Sequence, residues 1–330
     1  MSTTRARPSD PSSDGTPEMA ADDKAADAQV RPVAGVIGLG TMGGAMARHL
    51  LAAGYEVAGY DVAPTQLAAL GEAGGTPVGS PSEVAERADV LILSLPSQAA
   101  FEEVVGGPDG LTAQPSSRAT IAVETSTLSL ESKEHGRAQL AGVSIELLDC
   151  PISGTGAQMA RGDAVFYLSG EERSAAAVEP LLAACGKAVF FLGSFGNGTR
   201  MKLVANHLVT IHNASAAEAL VLARCGGIDP AVALPALVAG AGDSRMLEVR
   251  GPAMVAEEYE PPTMRVRTFL KDIGIIREFA RSAGCVLPVF EAAAQLHERA
   301  RDAGWSEADP ASVHAVIERR SPNPEARPSP

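Results

Sequence analysis

The stretch VAGVIGLGTMGGAMARHL sets Gly38, Gly40 and Gly43 as G-x-G-x-x-G between a short apolar run and a helix-patterned one. Each glycine has its own mechanical task. Gly38 suits a tight turn, Gly40 lets backbone approach a pyrophosphate, and Gly43 permits close packing of helix on strand. A helix beginning near Thr41 would aim its free N–H groups at the phosphates. Glycine-rich loops also occur as plain turns, so the motif needs its context. That context includes Asp61 in GYDVAP, eighteen residues past Gly43. This lies near the usual ~20-residue spacing for a carboxylate that takes ribose hydroxyls. Residues 62–70 contain no Arg or Lys to receive a 2′-phosphate, and the carboxylate would repel one, which favours NAD over NADP. The alternative for Asp61 is a surface turn acid. A methyltransferase using S-adenosylmethionine shares the ribose-binding acid, but the third glycine and the helical second half speak against it.

From Val33 the chain alternates. Apolar runs at 33–38, 55–60, 88–95, 119–124 and 144–149 read as buried strands, and helical patterns separate several of them. That alternation predicts a doubly wound parallel sheet. Runs at 164–170 and 187–193 flank a helix starting at Glu171 and are expected to extend the same sheet. After Gly198 the strand signal stops. Residues 199–225 hold neither Pro nor Gly and read as one long helix that Gly226-Gly227 ends. Helical segments follow at about 230–240, 243–256, 265–283, 288–303 and 309–319. The expected class is therefore α/β: a Rossmann-type doubly wound sheet over 33–195, then an all-helical C-terminal domain over 196–320. The ends, 1–32 and 321–330, carry too few large apolar groups to offset the entropy of ordering them and are expected to be disordered tails.

Composition narrows the class of function. The 330 residues are 45 % hydrophobic, enough for two cores, and a formal net charge of −13 argues against nucleic acid as a partner. Cys150, Cys185, Cys225 and Cys285 are widely spaced and form no CxxC pair, so they read as reduced thiols. No HExxH and no clustered His/Cys/Asp set suggests a metal. No stretch reads as a membrane span, and residues 1–31 lack the apolar core of a signal peptide. The expected location is the cytoplasm, away from membranes.

Four blocks resemble the β-hydroxyacid dehydrogenase family, which includes 3-hydroxyisobutyrate dehydrogenase and, more distantly, 6-phosphogluconate dehydrogenase; the likeness spans Val33 to about Arg319. GLGTMGGAMARHL with GYDV looks like the family's nucleotide fingerprint in its NAD-preferring form. It implies cofactor contacts from Gly38, Leu39, Gly40, Thr41, Met42, Gly43 and Asp61. DCPISGTGAQMARGD is similar to the substrate signature, in which Ser153 and Gly154 would hold the substrate. GNGTRMKLVANHL matches the catalytic block, which implies Lys202 and Asn206 as catalytic. FLKDIGI matches a late Lys-Asp block and implies Lys271 as a contact to cofactor or substrate. Leu95-Pro96 and Ser126-Thr127 correspond to residues that line the nicotinamide side, which makes Leu95, Pro96 and Thr127 cofactor contacts. The chain departs from the pattern at Thr155, Ala205, Ala100 and Met264, all at or beside the expected pocket, and these changes bear on the substrate rather than on the reaction. The resemblance also implies a homodimer or homotetramer built through the helical domain.

Lys202 and Asn206 stand i, i+4 and share a helix face. Spacing alone leaves Lys202 a solvated helix charge; the matching block makes it a general acid/base. A lysine beside a hydroxyl can take its proton if burial or a neighbouring cation lowers its pKa, and Lys271 is a candidate for that cation. Asn206 would hold the hydroxyl or carboxylate. The Gly154 N–H and Ser153 hydroxyl suit a carboxylate. Arg245 is a second candidate anchor, against an ordinary surface charge. Ser126-Thr127 could instead cap a helix, as could Ser129. The expected activity is hydride transfer between NAD and a small β-hydroxy acid such as 3-hydroxyisobutyrate. The alternatives are a reductase of a semialdehyde or imine lacking a carboxylate, and a catalytically silent NAD-binding protein.

Overall fold

Apolar runs too short for helices become strands, and the chain reaches each next strand through a helix. The structure, a computed structural model, describes residues 31–113 and 117–321. The expected tails therefore lie almost wholly outside the described residues. Six strands form one sheet: β1 (Ala34–Ile37), β2 (Val57–Tyr60), β3 (Thr76–Pro77), β4 (Val90–Leu93), β5 (Ile121–Glu124) and β6 (Glu146–Asp149). Their spatial order is β3-β2-β1-β4-β5-β6, and every neighbouring pair is parallel. Helices α1 (Thr41–Ala52), α2 (Pro64–Glu72), α3 (Pro81–Arg87), α4 (Gln98–Gly106) and α5 (Leu130–Ala141) make the crossovers. Because helices cover both faces, β1 and β4 are buried along their whole length and read as unbroken apolar runs. Order reverses between β1 and β4, and in such sheets a crevice opens there, beyond the carboxyl ends of the strands.

The runs at 164–170 and 187–193 do not extend this sheet. They form β8 (Val165–Leu168) and β9 (Ala188–Phe191), which join β7 (Ile152–Ser153) in a separate three-stranded sheet. The reason is connection length. Between β7 and β8 lies only the short α6 (Gly156–Ala160), and a return that short pairs strands antiparallel, as seen. The longer α7 (Glu172–Ala183) then carries the chain to β9, parallel to β8. One antiparallel bridge, Asp149 to Ser169, is where the chain leaves β6 for the second sheet. β9 is an edge strand with Phe190 and Phe191 exposed, so its apolar run does not mark a buried strand.

Beyond residue 196 the structure is helical. α8 (Asn197–Cys225) is the axis, and α10 (Arg245–Ala256), α11 (Val266–Ser282), α12 (Pro288–Ala300) and α13 (Val313–Glu318) pack around it, with α9 (Pro230–Val238) alongside. Small buried residues Ala214, Ala216 and Ala217 let those neighbours approach. The segment expected over 288–303 stops at Ala300, and the π turn that follows (Arg301–Trp305) is broken where Gly304 turns left-handed at φ +93°. The N-terminal end of α8 lies against β6, β7 and β8, which brings its first turns to the mouth of the crevice. No helix among the described residues is long and apolar enough to cross a membrane.

Candidate active site

Gly38 takes φ +88°, and a Cβ there would stand 2.2 Å from the Ser94 carbonyl oxygen. A Cβ on Gly43 would meet the Gly38 carbonyl oxygen at 1.8 Å, so helix and loop touch backbone to backbone. At Gly40 nothing lies within 4 Å of such a Cβ: that side is open space. Among the described residues no side chain caps α1 and its first turn holds no acid, so its leading N–H groups are left for a ligand such as a pyrophosphate. The Asp61 carboxylate is fixed at the end of β2, accepting from the Leu39 N–H at 2.7 Å and the Ala63 N–H at 2.8 Å.

These groups line a cleft of about 480 Å³ that Gly38, Gly40, Thr41, Met42, Asp61, Leu95 and Pro96 share with the apolar side chains Ile37 and Val104. Leu39 is buried behind the loop, and Gly43 serves packing rather than lining. The residues present fit a dinucleotide: an open glycine, an uncapped helix end and a carboxylate at the end of β2.

Thr41, Met42, Ser94 and Leu95 also line a second cavity of about 710 Å³, so the two spaces adjoin along a shared wall. Into this cavity come Thr127 from the loop after β5, Gly154 from the loop after β7, and Lys202 and Asn206 from α8. Ser129 caps α5, accepting from the Ser132 N–H, which leaves Ser126 and Thr127 on the cavity wall. Ser126 Oγ accepts the Leu95 N–H at 2.8 Å and ties the two wall loops together. Ser153 is half-buried in β7 and is not part of the lining; Gly154 and Thr155 are. Gly154 sits at φ +150°, where a side chain would be strained, and the Thr155 hydroxyl caps α6 in a capping box with Gln158.

Burial lowers the Lys202 pKa to about 8, against the opposing pull of the Asp272 carboxylate. Lys271 is not the cause. It is exposed, stays outside the cavity lining, faces Asp272 at 3.7 Å and donates to the Thr127 carbonyl at 3.4 Å. It thereby links α11 to the loop after β5. Arg245 is likewise no anchor: it pairs with Asp163 and Glu248 on the surface and lies outside the cavity.

Two cavity residues escaped the sequence reading. Asp272 is buried, accepts from Asn206 Nδ2 at 3.1 Å, and has its pKa raised by burial despite Lys271 and Lys202. Arg250 is 6 % exposed and pairs with Asp309 at 3.1 Å. Both carried a signal. Asp272 interrupts the buried stripe Phe269, Ile273, Ile276 of α11, and Arg250 interrupts Leu247, Gly251, Met254 of α10. A charge on the apolar face of an amphipathic helix needs a reason.

Behind the cavity, Lys133 is fully buried and bonds Glu124 at 2.6 Å and Asp149 at 2.8 Å. Burial disfavours its ammonium, yet the two carboxylates hold its pKa above the ordinary lysine value. Asp149 also accepts from the Thr199 N–H and hydroxyl, each at 2.7 Å. A carboxylate on β6 thus supplies the cap that Gly196 cannot give α8, three residues before Lys202.

Comparison with known proteins gives the same picture. A profile of the NAD binding domain of 6-phosphogluconate dehydrogenase matches residues 33–193, and one described as the NAD-binding region of NADP-dependent 3-hydroxyisobutyrate dehydrogenase matches residues 196–317. The chain is 34 % identical over 286 residues to L-threonate dehydrogenase of Cupriavidus necator, covering 86 % of this chain and 95 % of that one. It is 28 % identical over 294 residues to mitochondrial 3-hydroxyisobutyrate dehydrogenase of Mus musculus, covering 87 % and 88 %. Among solved structures, 3-hydroxyisobutyrate dehydrogenase of Salmonella typhimurium superposes with a TM-score of 0.76 at 30 % identity, covering 86 % of this chain and 99 % of that one.

Proposed function

This chain belongs to the β-hydroxyacid dehydrogenase family, and on that premise we propose that Lys202 moves the hydroxyl proton in the NAD-dependent oxidation of a small β-hydroxy acid of the 3-hydroxyisobutyrate kind. The protein is an oxidoreductase that transfers a hydride between a hydroxy acid and a nicotinamide dinucleotide. The observation that supports the Lys202 role is its burial in a cavity adjoining the dinucleotide cleft, which lowers its pKa to about 8.

When bound, the dinucleotide supplies the hydride acceptor or donor. The remaining work belongs to the protein. Neutral Lys202 takes the hydroxyl proton in oxidation, and its ammonium returns one to the alkoxide oxygen in reduction. Asn206, held by Asp272, keeps one amide hydrogen and its carbonyl oxygen for the substrate. The Gly154 N–H offers a neutral donor to the carboxylate, while Ser153, in β7 outside the lining, stands only beside that contact. NAD rather than NADP follows from Asp61, whose charge opposes a 2′-phosphate. A division near residue 195 into dinucleotide-binding and helical parts belongs to this reading. So does a homodimer or homotetramer, for which the exposed Val204 and Leu208 of α8 and Leu222 further along offer an apolar surface. Four free cysteines, two of them buried, suit a reducing, cytoplasmic compartment.

The test is NADH formation over 3-hydroxyisobutyrate, L-threonate, glycerate and 3-hydroxypropionate, with Lys202→Ala beside the unmodified chain. Loss of about 10²–10⁴ in kcat is expected on the best substrate, with NADH binding by fluorescence unchanged. A variant keeping more than half its kcat removes Lys202 from the proton transfer.

A further inference from the structure

We propose that Arg250 selects substrates whose end remote from the carboxylate carries hydroxyl groups rather than an alkyl branch. The inference rests on the hydroxy-acid reading above and names the substrate class for that site.

Arg250 projects from α10 into the cavity that holds Lys202 and Asn206. A guanidinium offers five N–H donors in a fixed plane. Here Nε faces Asp309 Oδ1 at 3.1 Å, while Nη1 reaches only the Met246 sulfur at 3.7 Å. Nη2 has no acceptor among the described residues and is not sealed from solvent. Asp309 cannot satisfy these donors. Its oxygens already accept the Ala311 N–H at 3.0 Å, the Thr263 N–H at 2.9 Å and the Thr263 hydroxyl at 2.6 Å. The Phe269 ring, 5.6 Å from the guanidinium carbon, holds the plane from one side.

The result is an ion pair that is neutral as a whole, lines the substrate cavity and leaves guanidinium donors without an oxygen acceptor among the described residues. Neutral acceptors suit it, and the cavity wall nearby carries two further hydroxyls, on Thr263 and Thr268. An alkyl branch would strip water from Nη1 and Nη2 and return no hydrogen bond. A site with such unmet donors rejects the analogue that lacks the hydroxyl. A second carboxylate would meet Asp309 behind the guanidinium and Asp272 across the cavity.

The experiment compares kcat/KM of the full-length chain for L-threonate, 3-hydroxyisobutyrate and malate, as the hydroxylated, methyl-branched and dicarboxylate arms. The unmodified chain is expected to favour L-threonate over both by about 10²-fold or more. Arg250→Met should lower the L-threonate value about 10²-fold and at least about tenfold more than the 3-hydroxyisobutyrate value, with NADH still bound. If the Met variant fails to fold, judged by lost NADH binding, Arg250→Lys carries the test. It keeps the charge but not the planar fork, and at least about tenfold loss confined to L-threonate is expected. Equal losses on all three acids, no loss on L-threonate, or a preference for malate overturns the proposal. Turnover of no hydroxy acid by the unmodified chain overturns the hydroxy-acid reading itself and this inference with it.

Discussion

At the scale of single residues, the Lys202 pKa sets the direction in which pH acts. A value of about 8 leaves the side chain mostly protonated at neutral pH, ready to give a proton in carbonyl reduction. Oxidation needs the neutral amine. For oxidation, kcat/KM should therefore climb roughly tenfold per pH unit below about 8 and level off above it. Asp272 favours the ammonium, so Asp272→Asn should move that midpoint to lower pH; an unchanged midpoint means the carboxylate does not act on Lys202. Asp61→Ala should narrow or reverse the preference for NAD over NADP, measured as the ratio of kcat/KM values. Equal values in the unmodified chain would remove the ribose role of Asp61. The glycines and Asp61 were legible because each answers a local demand of the loop. Arg250 and Asp272 were not read because their meaning lies in partners far along the chain, Asp309 and Asn206. Lys271 was legible as a residue near the site, but spacing could not say that it faces Asp272 and the Thr127 carbonyl instead of Lys202.

At the scale of elements, the cofactor loop and α8 each depend on one close fit. Gly43→Ala would force a methyl group to 1.8 Å from the Gly38 carbonyl oxygen, and no side chain is there to yield. The expected outcome is loss of NADH binding with destabilisation of about 1–3 kcal/mol in urea unfolding. Normal binding and stability would show that α1 can step away from β1. For α8 the fit is electrostatic. Lys133→Met would leave Glu124 and Asp149 buried without their cation, and Asp149 also caps the helix that bears Lys202. Breaking a buried ion group in this way should cost about 3–5 kcal/mol, read as a shift of the unfolding midpoint. A cost under about 1 kcal/mol contradicts the role given to the network. Strand and helix positions were largely legible from periodicity. Sheet membership was not, because an apolar run does not record which strand it pairs with. Only the short connection after β7 decides that β8 and β9 leave the main sheet. β3 escaped for a different reason: two exposed residues ending in Pro77 carry no pattern to read.

At the scale of the whole molecule, a chain of net charge −13 is expected to bind an anionic substrate. Local donors decide that, because field inside a cavity depends on nearby groups more than on the total. Lys202 and Gly154 line one cavity, with Arg250 on its wall neutralised by Asp309 and Lys271 outside the lining, and Met42 and Leu95 are shared between that cavity and the dinucleotide cleft. The fold was legible in outline as a doubly wound sheet followed by a helical region. The volume in which the two meet was not, since it depends on how α8 and α11 reach the crevice. The central claim is that this volume oxidises hydroxy acids and needs their carboxylate. It is tested most directly by kcat/KM for NAD-dependent oxidation of the best hydroxy acid beside its methyl ester. The ester should be worse by about 2–5 kcal/mol of transition-state binding, a loss of roughly 30-fold to several thousand-fold. Equal values for acid and ester, or no NADH from any acid, would contradict it.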